Sequence, residues 1–350
     1  MNFRTRSVLC VMLVLSCAGS FAMAQEKLPI ELIGANAALD GAQQRKLDEF
    51  AKFWIDNMQS SAAPQVSDAR NNLISPLKHP SAGSVFKSAY SATLTRLLPD
   101  LLENDRMLVR FNAMLCVPSL LDKSAINMIQ SALRDTNPAI RYLAAQAAGK
   151  MGKNLQAGDQ MRILTLIQNS FVQEPDQVVV EQLLESMSLL TVPQARLTML
   201  EALNMHVDVH HGNPNLTLKA DRDAMLTLLK DIVREQTDEK KIPFRVSKQF
   251  AVVACRFMIH CSRALDEDRV HSTMQAQYSG MIQDCVKILA YISTRPMGMD
   301  EKVLPQDDIR PNLRAKRWTA VRLRAEEWRK TLQDPPYNTA LRHLAVPSGR

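Results

Sequence analysis

The chain has 350 residues, 46% of them hydrophobic, which is too apolar for wholesale disorder and long enough for one long solenoid or two compact domains. Glycine is scarce at 11, there is no Asn-Gly hairpin turn and few apolar runs alternate, so the composition favours helices over a sheet-based core. Bases outnumber acids 43 to 36, and beyond the first 24 residues the whole excess sits in residues 301–350, whereas residues 25–300 are balanced.

Residues 1–24 read as a cleaved export leader. Arg4 and Arg6 form a basic start, Val8 to Leu15 an apolar run, and Ala22-Met23-Ala24 a small-residue site with cleavage before Gln25. The run is too short to span a membrane comfortably, and no second long one follows. These features point to a bacterial periplasm. Extracellular release is one alternative, and lipid anchoring at Cys17, after Val14-Leu15-Ser16, is another.

Residues 25–80 are expected to form an N-terminal helical segment. A helix over 42–59 has Leu47, Phe50, Trp54 and Met58 on one face. Pro64 interrupts, and a short helix from Asp68 ends before Pro76. Ser84 is expected to cap a helix to about Leu98. Further helices are predicted over about 106–116, 123–134, 138–150, 159–171, 177–190, 194–205, 220–235, 246–263 and 272–293. Their short links make them antiparallel neighbours. Residues 294–311, with Pro296, Pro305 and Pro311, read as a linker. A basic amphipathic helix over 312–333 follows, and then a loose tail over 334–350.

The strongest pattern is Asp135-Thr136-Asn137-Pro138-Ala139-Ile140-Arg141, followed by an Ala-rich helix to Gly152. Asn137 suits a cap and Pro138 a first turn. Ile140, Ala144 and Ala147 make a thin stripe for close packing, and Gly149 or Gly152 suits a left-handed stop. Thirty-one residues earlier Val109, Arg110, Phe111 and Ala113 fall opposite Ile140, Arg141, Tyr142 and Ala144, and a third helix opens 38 residues later at Pro175 without the Arg. This stretch resembles the HEAT-like repeats first noted in phycobilin-lyase relatives, clearly over about 95–205. The resemblance implies an all-α, right-handed α-α superhelix of helix pairs over residues 81–293, with an N-terminal helical cap and a C-terminal capping helix. It also implies that Arg110 and Arg141 brace adjacent units, and that the curved surface binds a protein or extended polymer without catalysis.

Three groups could carry other chemistry. His206, Asp208 and His210, read as an extended connection between helices, would point to one side and suit a metal ion or a hydrolase. Cys255 and Cys285 are the pair a hairpin would bring together if a disulfide forms, against four buried free thiols as the alternative. In the last helix Trp318, Val321, Ala325, Trp328 and Leu332 form a narrow apolar seam. Arg322, Arg324 and Arg329 lie on its other sides, where they are either solvated or docked on an anionic envelope surface. Nucleic acid is disfavoured because the chain is exported. No common catalytic, nucleotide or covalent-haem motif is present and no cofactor is expected.

Overall fold

The computed structural model describes residues 27–120, 122–238, 242–305 and 309–346. The expected leader and Cys17 lie outside the described residues. Among these residues the regular structure is helical, with seventeen α-helices and no strand. No described helix is long and apolar enough to cross a membrane. The chain divides into two units, residues 1–155 and 156–350.

The first unit contains α1 (Ile30–Ile33), α2 (Gly41–Asn57), α3 (Ala63–Lys78), α4 (Ser84–Leu97), α5 (Pro99–Leu102), α6 (Met107–Cys116), α7 (Ala125–Ala132) and α8 (Pro138–Gly152). A capping box starts α2. Asp40 accepts from the N–H groups of Ala42 and Gln43, and the Gln43 side chain accepts from that of Asp40. Two expectations fail near here. Pro64 does not interrupt a helix but lies in the first turn of α3, where its missing N–H is no loss, and α3 continues through Pro76 into its last turn. Gly83, not Ser84, caps α4, and a Cβ at Gly83 would lie 2.2 Å from the carbonyl oxygen of Ala35.

α3, α6 and α8 succeed one another as neighbours in one layer, while α2, α4, α5 and α7 supply the other. The starts of α6 and α8 share one design. Arg110 donates to the carbonyls of Asn104 and Asp105 (2.8 and 3.1 Å), six and five residues back, and Arg141 donates to those of Asp135 and Thr136 (2.9 and 3.2 Å) at the same offsets. The Asn104 and Asp135 side chains each accept from the N–H two residues on. Arg110 also pairs with Asp135 at 3.0 Å, which ties the start of one helix to the start of the next. Asn137 caps α8 as expected, accepting from Ala139. The glycine expectation is corrected: Gly149 and Gly152 are buried within α8, and the left-handed glycine among the described residues is Gly298.

The second unit contains α9 (Ala157–Gln173), α10 (Gln177–Ser188), α11 (Pro193–Gly212), α12 (Lys219–Thr237), α13 (Phe244–Asp266), α14 (Gln275–Thr294), α15 (Ile309–Arg314), α16 (Trp318–Thr331) and α17 (Leu341–Leu344). α9, α11, α13 and α16 follow one another in one layer, and α10, α12 and α14 in the other. Asp176 caps α10, so the third repeated start matches Asn137 at a step of 39 rather than 38 residues, with Val180 in the place of Arg141.

The C-terminal readings need two corrections. The helix expected over 312–333 is two, because Lys316 takes a left-handed φ of 51° between α15 and α16. The expected loose tail is packed as far as it is described. Tyr337, Thr339 and Leu344 are buried, the Tyr337 hydroxyl lies 2.8 Å from that of Ser293, and the Ala345 carbonyl accepts from Arg256. The seam of α16 does cap the unit, with Val321, Ala325, Trp328 and Leu332 buried on the side where α16 meets α13.

Arg110→Ala is expected to destabilise the first unit by about 1.5–3 kcal/mol, the range for charge-assisted bonds. Arg162→Ala, which removes an exposed pair, should cost less than about 0.5 kcal/mol. Urea denaturation midpoints of the two variants check this.

Candidate functional site

Four of the chain's seven histidines, His206, His210, His211 and His260, gather in the second unit, all of them buried. His206 and His210 stand one turn apart near the end of α11 and so share a face. After a short turn, α12 brings Asp221 against that face in its own first turn, where a carboxylate suits the helix dipole. His206 Nδ1 lies 2.6 Å from Asp221 Oδ1 and His210 Nε2 2.8 Å from Asp221 Oδ2, so each carboxylate oxygen serves one imidazole. Burial alone would raise the Asp221 carboxyl. The hydrogen bonds and the attraction of the two rings outweigh it and hold the group below the usual carboxylate range.

Aromatic rings close the surroundings. Phe171 packs edge-on to His206 at 5.7 Å and Phe257 to His210 at 6.1 Å. His260, on α13, lies 6.2 Å from His210, 6.0 Å from His211 and 5.8 Å from Tyr278. Both nitrogens of His260, both of His211 and Nδ1 of His210 are buried without a hydrogen-bond partner. Burial, with the neighbouring imidazoles, pushes His260 down to about 3, so its ring is neutral.

The sequence-based grouping of His206, Asp208 and His210 is not the one formed. Residues 206–211 are helical rather than extended, which turns Asp208 roughly 200° from His206. Asp208 instead meets the buried Arg256 at 2.5 Å, and Arg256 also donates to Asn204 and to the carbonyl of Ala345. Asp221 was missed. A helical reading of 206–212 would have exposed the one-turn histidine spacing and directed the search for an acid to the next helix.

Cys116, Cys255, Cys261 and Cys285 are free and buried, so the possible Cys255–Cys285 bridge is not formed. Burial raises all four thiols, Cys116 to about 12. Arg322 pairs with Asp266 at 3.0 Å, Arg329 with Glu326 at 2.7 Å, and Arg324 with Glu327. Each of the three basic side chains named from sequence therefore has a carboxylate beside it. Between α11, α13 and residues 338–343 lies a cleft of about 600 Å³, bordered by Asn204, Arg245, Lys248, Gln249, Thr339 and Arg342.

No known family matches the sequence, and no curated protein does either. Solved structures with some likeness include a Kap121p mutant, at 14% identity and a TM-score of 0.45 over 95% of this chain. The chain spans 36% of that protein's length. Two engineered proteins follow, one at 10% identity and a TM-score of 0.38 (69% of this chain, 97% of that one), the other at 12% and 0.36 (87% and 77%). Likeness at this level carries no function across, and the helical architecture rests on the elements described above.

With no bridge and buried thiols, alkylation of the native protein should leave Cys116, Cys255, Cys261 and Cys285 unlabelled. Denaturant without reductant should expose all four to labelling. Peptide mass mapping checks this, and any pair that needs reductant would reveal a disulfide.

Proposed function

We propose that the chain is an exported, non-catalytic binding protein built of HEAT-like helix pairs, and that it takes an acidic segment of a protein partner into the cleft between α11 and α13. The observation that carries this reading is the chemistry of the cleft. Arg245, Lys248 and Arg342 line it, and the carboxylate of Asp208 is taken up by Arg256, which leaves Glu201 as the other acid. Positive walls suit an acidic polypeptide better than an apolar one.

The non-catalytic part is supported by where the reactive groups sit. The clustered histidines and all four described cysteines are buried, and among the cleft's lining residues the one imidazole is the exposed His343. Export rests on the leader-like first 24 residues.

Two measurements test this. N-terminal sequencing of the protein recovered from its native host should begin at Gln25, and an intact Met1 would overturn export. A photo-crosslinking residue at Lys248 or Gln249 should give a discrete protein adduct that rising salt weakens, while the same residue at Arg162 on α9 should not. Equal yields from both positions, or none from the cleft, would refute the cleft as the binding surface.

A further inference from the structure

We infer that His206, His210 and Asp221 form a site for one divalent transition-metal ion of the zinc type, which staples α11 to α12. The inference is independent of the cleft and of what enters it. It begins from the donor set: two imidazoles one turn apart on one helix and a carboxylate from the next, with their donor atoms all within 4.8 Å of one another. Imidazole with carboxylate suits zinc and its neighbours, whereas magnesium and calcium take oxygen ligands.

Packing alone does not account for the group. A helix contact that needed only volume would be filled by Leu or Phe, as the walls of this site already are at Phe171 and Phe257. Instead four imidazoles are buried together, and five of their ring nitrogens have no partner. Burying polar rings in such number is costly, and the three groups whose donor atoms converge are His206, His210 and Asp221. His260, outside the three ligands, has its ring 6.2 Å from that of His210.

The geometry asks for a small adjustment. The separations of 2.6 and 2.8 Å are hydrogen-bond lengths. Tetrahedral ligands at zinc stand roughly 3.3–3.5 Å apart, given bonds of about 2.0–2.2 Å. The two nitrogen–oxygen separations therefore have to lengthen by less than about 1 Å for an ion to sit between them. Each imidazole then presents a lone pair where it now presents an N–H to Asp221, with the proton carried on its other nitrogen. The ion takes the place of the shared protons. One carboxylate against a divalent ion leaves a single positive charge.

The test uses the full chain as purified, stripped with chelator, exposed to zinc and passed through a desalting column. The expected result is one zinc per chain by elemental analysis, with a thermal midpoint that rises on zinc addition and falls back with chelator. His206→Ala with His210→Ala should weaken zinc affinity more than about a hundredfold, beyond the usual effect of an outer-shell change. His271→Ala, which removes an exposed imidazole outside the group, should leave it unchanged. If the double variant does not fold by circular dichroism, the wild-type protein still decides. Cobalt should give a visible absorption band, and zinc should displace it. The idea is overturned if the wild type retains no metal, or if a folded double variant retains it undiminished.

Discussion

The second unit is assembled around α13, and the constraint that shapes it is that this helix is enclosed along most of its length and opens on the cleft at Arg245 and Lys248. Sixteen of its 23 residues are buried, and α11, α14, α16 and α17 pack against it. Enclosing most of a helix also buries polar groups, and leaving them without partners is costly. Arg256 has oxygen partners on three residues, one of them from the C-terminal segment. That bond explains why residues 337–346 are packed although their composition reads as a tail. His260 does the opposite: it stays neutral and unpartnered among other rings.

What could be read from sequence follows the range of the interactions. Asn137 and Pro138 act through bonds within three residues, and the cap and first turn form where they were expected. The pairing of Arg110 with Asp135 spans 25 residues, and the matching backbone bonds of Arg141 show the same local device twice. Asp221 was illegible for a different reason. It lies in an ordinary charged helix start, Lys219-Ala220-Asp221-Arg222-Asp223, and nothing local separates it from Asp223, which is exposed and pairs with Lys219. Only the packing of α12 on α11 decides which of the two acids is buried.

Prolines misled the reading in a related way. Pro64 and Pro76 each signal a break when taken alone, yet each sits in a terminal turn of α3, where the helix tolerates it. The apolar residues of that helix, Val66, Ala69, Leu73, Ile74 and Leu77, keep a helical period across the whole span. Periodicity was the better guide there, and the same argument applies to residues 206–211. Histidines four apart inside a run that also holds Leu203 and Val207 fit a helix more naturally than an extended loop.

α11 carries two different jobs on sides roughly 200° apart. Asn204 and Asp208, one turn apart, hold Arg256 at the border of the cleft, while His206 and His210, also one turn apart, hold Asp221 in the dry interior. Both sets of bonds sit in the last three turns of one continuous helix, so its rotation or displacement alters them together. An interior group that fixes the position of α11 against α12 therefore also fixes the wall of the cleft. A rigid wall lowers the ordering cost of taking in a guest. The buried histidines and the border of the cleft thus share one helix, and a shift of that helix reaches both.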